Sequence, residues 1–335
     1  MTAALLLLLV VVASWLITGA MRRYALHRGL LDVPNERSSH VTPTPSLGGV
    51  AIVAVCLVGL GTAGVLGAIP AHGAMALVGG GVLVAGVGLL DDYAPVAAPW
   101  RLLAHLGAAV WVLAWVGALP PLPVLGGELG PPWLVMLLLL LGITWLINLY
   151  NFMDGIDALA AIEALTVGVT AAGLLWLAGA SGLALVTGFY AAAAFGFLLW
   201  NAPPAHIFMG DAGSGFLGVS FGALAILSHA LDALVLWAWL ILLGVFVVDA
   251  TFTLVRRMVT GQRWHQAHRI HAYQHAARLY GHGPVSCAVA VINLVWLAPL
   301  AAVASLAPQW GLPLLLLGWA PLVVLAVCYR AGRPV

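Results

Sequence analysis

PWLVMLLLLLGITWLINLYNFMDGIDALAAIEALTVGVTAAGLLWLA (132–178) decides the fold. One apolar run, 132–149, ends in a polar break carrying Asn148, Asn151, Asp154 and Asp157, and a second run, 158–178, begins at once. Each run is long enough to cross a hydrocarbon layer as a helix. A bilayer penalises a charge at a helix centre by roughly 2.5–3.5 kcal/mol, which drives carboxylates to the ends of spans.

The same alternation runs through the chain. Its 335 residues are 63% hydrophobic and 7% charged, whereas a soluble domain is about 45–50% apolar. Apolar runs recur near 3–21, 47–68, 74–90, 101–118, 132–149, 158–178, 182–200, 212–230, 233–255, 285–306 and 309–329. The expected fold is all-α, a polytopic integral membrane helical bundle of about eleven transmembrane helices. It reads as a single transmembrane domain over 1–335, with a His- and Arg-rich cytoplasmic loop at about 256–284. No soluble domain or strong internal repeat is evident. The Arg pair follows the first apolar run instead of preceding it, so that run reads as a span and not as a cleavable signal. Cys56, Cys287 and Cys328 lie in or near apolar segments and imply no disulfide framework.

All 12 basic residues are Arg. Arg22, Arg23, Arg28 and Arg37 follow the first span, Arg101 the third, Arg256, Arg257, Arg263, Arg269 and Arg278 the ninth, and Arg330 and Arg333 the last. With eleven spans they share one side. The positive-inside bias makes that side cytoplasmic, with the N-terminus outside and the C-terminus inside the inner membrane. The polar breaks fall on that side too: 32–49, 89–93, 148–159, 201–218 and 256–275. A polar site at the cytoplasmic face is the expectation.

Asp91 and Asp92 end the third span, where the helix dipole opposes negative charge. They read as a metal- or proton-handling pair, or as a solvated helix end. Asn148, Asn151, Asp154 and Asp157 recur every three residues, which on a helix makes a ridge of amides and carboxylates. Gly155 lets another group approach the backbone. In FMGDAGSG (208–215), Asp211 sits among Gly210, Gly213, Ser214 and Gly215 as a span begins. Open N–H groups at a helix start suit phosphate, and the carboxylate suits Mg²⁺; no Walker lysine follows. In the basic loop, His268, His271 and His275 can share a helix face beside Arg263, Arg269 and Arg278. Arg forks and His donors fit a diphosphate better than a zinc ion. Glu163 and Asp249 read as structural groups near the interface.

Together these residues resemble the polyprenyl-phosphate N-acetylhexosamine-1-phosphate transferases, and most closely the branch that initiates O-antigen. The similar pieces are the Pro-Thr-Pro and Gly-Gly stretch (43–49), Asp91–Asp92, 148–159, 201–218, Arg269 and His271. The resemblance implies that a polyprenyl (undecaprenyl) phosphate attacks a UDP-N-acetylhexosamine, releasing UMP, with Mg²⁺ as cofactor. By motif position Asp211 would be the main Mg²⁺ ligand and Asn151 a second. Phe208 would stack on uracil, and Asn201 and Asp157 would contact the nucleotide. Asp91 and Asp92 would position or deprotonate the lipid phosphate, with direct attack expected and a covalent Asp–phosphosugar route as the alternative. His271 and Arg269 would meet the diphosphate, and Asn148 and Asp154 would complete the binding site. The Lys usual before Pro-Thr-Pro is absent, which leaves Arg37 or His40 for that cationic role. Ala158 replaces the second Gly of the usual Asp-Gly-x-Asp-Gly. HRIHAYQH (268–275) favours UDP-GlcNAc, UDP-FucNAc or UDP-QuiNAc over a MurNAc-pentapeptide donor. The expected partners are the nucleotide sugar, the lipid phosphate and the bilayer, with no nucleic acid and a homodimer left open. The alternative is a transporter or flippase, since intramembrane acids also mark ion pathways. Its site would lie near the midplane, between repeated halves.

Overall fold

The computed structural model describes residues 3–34, 42–124, 127–263 and 268–334. Helix α1 (Ala3–Arg28) leads to a two-stranded antiparallel hairpin, β1 (Leu31–Asp32) with β2 (Thr44–Pro45). Helices α2 (Gly49–Val65), α3 (Ala71–Tyr93) and α4 (Ala98–Val116) follow, then a second small pair, β3 (Pro123–Val124) with β4 (Gly127–Glu128). Next come α5 (Pro132–Met153), α6 (Leu159–Leu177), α7 (Ser181–Asn201), α8 (Asp211–Ala230), α9 (Leu236–Leu242) and α10 (Gly244–Val259). The chain continues as α11 (Ala272–Tyr280), α12 (His282–Val291), a π-helical stretch Ile292–Leu297, α13 (Ala298–Leu306), a 3₁₀ turn Pro308–Trp310 and α14 (Gly311–Cys328).

Among the described residues nine helices, α12 to α13 taken as one, are long and apolar enough to cross a bilayer. The expected ninth span is a pair, α9 and α10, bent by 73°. The second expected span is α2, whose 17 residues reach about 26 Å. The protein is thus an all-α polytopic membrane bundle, with one expected span broken and one short.

Helix α8 lies at the centre, its whole apolar length buried by its neighbours. Such an all-round contact needs small residues. A β-carbon on Gly213 would stand 2.5 Å from the Gly49 Cα, and one on Gly218 2.7 Å from the Leu146 carbonyl oxygen. On α3, a β-carbon on Gly88 would meet the Ala212 nitrogen at 2.6 Å. These contacts bring the C-terminal ends of α3 and α5 and the N-terminal ends of α2 and α8 to one end of the bundle. The backbone there is laced together: Phe208 N donates to Pro45 O (2.8 Å), Gly48 N to Phe208 O (2.9 Å) and Gly49 N to Met209 O (2.8 Å).

Glu163, on α6, is fully buried against the π-helical stretch. Its Oε2 accepts from Asn293 Nδ2 (2.7 Å), which also donates to Thr166 Oγ1 (2.8 Å). Oε1 of Glu163 and Oδ1 of Asn293 have no donor among the described residues. A hydrogen carried on the position-163 side chain supplies one, as in a paired carboxylic acid and amide. Glu163→Gln should therefore leave the melting temperature in detergent nearly unchanged. Glu163→Ala, which strands Asn293, should lower stability by about 1–3 kcal/mol; equal losses in both variants would refute the pairing.

Candidate active site

A cavity of about 590 Å³ opens at the end of the bundle where these helix termini meet, and Asp92, Asn151, Asp154, Asp157, Asn201, Phe208 and Asp211 all line it. Seven of the residues singled out in the sequence are thus brought together from α3, α5, α7, α8 and the loops between them.

Asp92 does more than face the cavity. Its Oδ1 accepts from Asp211 N (2.8 Å) and its Oδ2 from Ala212 N (3.1 Å). The open helix N-terminus expected for phosphate is therefore filled by a carboxylate from another span. Gly210 permits this: its φ is +80°, and a β-carbon there would lie 2.8 Å from the Asp92 carboxylate. The Asp211 side chain then leads into the cavity. Its Oδ1 accepts from Asn151 Nδ2 (2.7 Å), which also reaches Ser214 Oγ at 3.3 Å.

Asp91 does not line the cavity. Adjacent helical residues diverge by about 100°, so Asp91 turns to Val96 N (2.6 Å) and to the Arg101 guanidinium. The two adjacent acids thus have different partners, although Asp91 shares Arg101 with Asp211. Arg101 also stands 3.3 Å from Asp211 Oδ2. Sequence reasoning used Arg101 only for orientation; its place ten residues after Asp91, one helix start away, was the available signal.

The expected ridge of four residues is corrected. Helix α5 stops at Met153, and Asp154 and Asp157 lie in the turn to α6. Asn148 is on α5 but bonds back to Thr144 O (2.7 Å) outside the cavity lining. Asp157 Oδ2 accepts from Ala205 N (3.1 Å). Asn201, which lines the cavity, also holds backbone, accepting from Ala158 N (2.9 Å) and donating to Ile207 O (2.9 Å). Ala158 itself sits at φ +69°, a left-handed conformation natural to Gly. This departure from the family pattern is a strained one. Gly155 admits the Tyr273 hydroxyl, which would lie 2.1 Å from a β-carbon there and donates to Phe152 O (2.8 Å). Burial, with Asp249 and Asp154 nearby, pushes the Tyr273 hydroxyl well above its ordinary range, so it remains a donor.

His271 is 3% exposed and faces inward, with Nδ1 3.3 Å from Asp249 Oδ1. It ends the loop before α11, so His268, His271 and His275 do not share one helix face. Asp249 also accepts from Ala272 N and Tyr273 N, both at 2.9 Å. Its structural role holds; its partner is the start of α11, while Arg256 bonds Ala331 O (2.8 Å). Arg269 is exposed and outside the cavity lining. Arg37 and His40 lie outside the described residues. Gln274 and His282, which the sequence reading did not select, also line the cavity.

The donor set is oxygen-rich: carboxylates of Asp92, Asp154 and Asp211, with Asn151. That chemistry fits a hard dication such as Mg²⁺. Among the described residues no three His, Cys, Asp or Glu side chains enclose an ion by themselves.

Fold and cavity together define an integral membrane helical bundle with a carboxylate-lined chamber at one end. Residues 74–229 match the family described as glycosyl transferase family 4. The chain is 31% identical over 271 residues to the Bacillus subtilis (strain 168) protein named "Probable undecaprenyl-phosphate N-acetylglucosaminyl 1-phosphate transferase", covering 77% of this chain and 74% of that one. It is 33% identical over 312 residues to a decaprenyl-phosphate N-acetylglucosaminephosphotransferase of Mycolicibacterium smegmatis, covering 82% and 77%. A phospho-N-acetylmuramoyl-pentapeptide-transferase of Synechococcus is 30% identical over 278 residues, covering 75% and 72%. The chain belongs to this family, the polyprenyl-phosphate N-acetylhexosamine-1-phosphate transferases.

Burial and the nearby charges of Asp211, Asp92 and Asp157 hold the Asp154 carboxyl well above the usual carboxylate range. A raised acid favours folding while protonated, and that contribution is lost as pH rises through the folded-state value. In EDTA, the melting temperature should therefore climb as pH falls from 8 toward the carboxylate range. Asp154→Asn should flatten that slope and raise the value at pH 8; an unchanged slope would contradict the crowding. Asp249→Asn should reduce folded yield, read by size-exclusion chromatography, more than it reduces turnover per folded molecule, since its oxygens hold the α11 backbone.

Proposed function

We propose that this protein transfers N-acetylhexosamine 1-phosphate from a UDP-sugar to a polyprenyl phosphate at the cytoplasmic face of the inner membrane. A phosphate oxygen of the lipid bonds to the β-phosphorus of the UDP-sugar, and the bond from that phosphorus to the UMP oxygen breaks. Polyprenyl-diphospho-sugar and UMP result. The observation that carries this reading is the single cavity in which Phe208, Asn151, Asp154 and Asp211 converge at helix ends. A soluble nucleotide and a lipid headgroup can both reach such a chamber. The Arg-rich ends of α1 and α10 support placing it on the cytoplasmic side.

Asp211 and Asn151 are the residues proposed to hold Mg²⁺, the Asn through its amide oxygen. Bound there, the ion offsets the charge of two approaching phosphates. Asp92 holds the Asp211 backbone in place and limits the space beside it. Arg101 steadies Asp211 and adds positive charge. Phe208 offers an aromatic face to the uracil. The relatives' names include N-acetylglucosamine, so UDP-GlcNAc is the first donor proposed, ahead of UDP-FucNAc and UDP-QuiNAc. Undecaprenyl phosphate is the proposed acceptor. Initiation of O-antigen or a related surface polysaccharide is the proposed place of the reaction.

Purified protein with undecaprenyl phosphate and a panel of UDP-N-acetyl sugars should release UMP only when both lipid and Mg²⁺ are present. Asp211→Asn should lower the rate by on the order of 10²–10³-fold while the protein still elutes as folded. A transporter would release no UMP from any sugar in the panel, and that result would remove the enzyme reading.

A further inference from the structure

His282 opens α12, and its ring lies among the residues that line the cavity. Its Nδ1 edge is bracketed by one residue: Asp157 N and Asp157 Oδ1 are each 3.3 Å away. Ser286 Oγ, one turn on, donates to Asp157 O (2.9 Å), so α12 grips the α5–α6 turn at two points. The side chain is 20% exposed. With Nδ1 held by Asp157, no hydrogen bond to a described residue involves the ring's other nitrogen, Nε2, and the ring lines the cavity.

The Asp157 N–H is aimed at Nδ1. A ring that accepts there is neutral with its hydrogen on Nε2, whereas a hydrogen on Nδ1 would face that N–H. Asp157 thus sets His282 as a donor toward the cavity. The neighbouring wall is carboxylate, which accepts from hydroxyls and amides but repels phosphoryl oxygen. A fixed donor there suits an anion.

We propose that His282 is a substrate-binding residue whose Nε2–H donates to a phosphoryl oxygen of the nucleoside diphosphate. This rests on the transfer reaction proposed above. Nothing in the sequence motifs selects it, because its partner is 125 positions away.

The side-chain geometry of two amides provides the test. Asn places its amide oxygen near the Nδ1 position, where it can accept from Asp157 N–H, without the reach. Gln places its nitrogen near the Nε2 position and keeps the reach. In full-length protein, His282→Asn should raise the KM for the UDP-sugar and the inhibition constant of UDP about ten-fold, with kcat and the lipid KM little changed. His282→Gln should stay within about three-fold of the parent on all four constants. Inhibition by uridine alone should be the same in all three proteins. The opposite order, with Asn sparing and Gln damaging binding, would show that His282 only steadies Asp157 and would overturn the proposal, as would two variants that both match the parent. If the parent releases no UMP from any sugar, the transfer reading fails instead. UDP binding, measured by a thermal shift with added UDP, still tests His282 in that case: loss of the shift in His282→Asn alone supports the contact, and an unchanged shift overturns it.

Discussion

The carboxylate of Asp92 on the first N–H groups of α8 is the interaction on which the site depends. A helix start inside a membrane protein cannot leave its N–H groups without partners. Here Asp211 N and Ala212 N are met by one side chain from the end of α3. The positive end of the α8 dipole in turn stabilises that charge. The contact fixes two span ends within hydrogen-bond distance. It is possible only because Gly88, one turn before Asp92, lets α3 touch the α8 backbone, and because Gly210 turns at φ +80°. Asp211 becomes the first residue of α8 and reaches Asn151 and Arg101 from there.

A second brace holds the other half of the cavity. The broken span carries Asp249 on α10, and Asp249 collects the N–H groups of Ala272 and Tyr273 at the start of α11. Tyr273 then reaches across to Phe152 O, beside Gly155, and steadies the turn from which Asp154 and Asp157 project. His271 belongs to this brace. The chain from Asp249 through α11 to the α5–α6 turn explains why a histidine in the basic loop is buried and why a helix interior holds a carboxylate.

The bundle was legible because hydrocarbon imposes a strong rule: apolar runs cross it and charges collect at their ends. That rule also located Asp92, Asn151, Asp154, Asp157 and Asp211 at one level, since each closes or opens a span. What the pattern could not supply was direction. Asp91 and Asp92 are equivalent as letters, yet the helix turns one to Arg101 and the other to α8. The three-residue spacing from Asn148 to Asp157 suggested one face, but α5 ends at Met153 and the last two acids reach the cavity through a turn. His282 and Arg101 were passed over because their partners, Asp157 and Asp211, lie 125 and 110 positions away.

The carboxylates of the cavity are not equivalent in what already holds them. Asp92 is met by two backbone N–H groups, Asp157 by Ala205 N, and Asp211 by Asn151 and Arg101. Among the described residues no donor is bonded to the Asp154 side chain, although burial and three neighbouring acids bear on it. Crowding of this kind is relieved by protonation of one acid or by a cation that enters among them. These three acids each tie a span end or turn to another element. Asp154 is the acid whose bonding capacity remains for whatever enters the chamber. When ionised, Asp154 therefore concentrates negative charge at the α5–α6 turn, a point that attracts a cation and repels a bare anion.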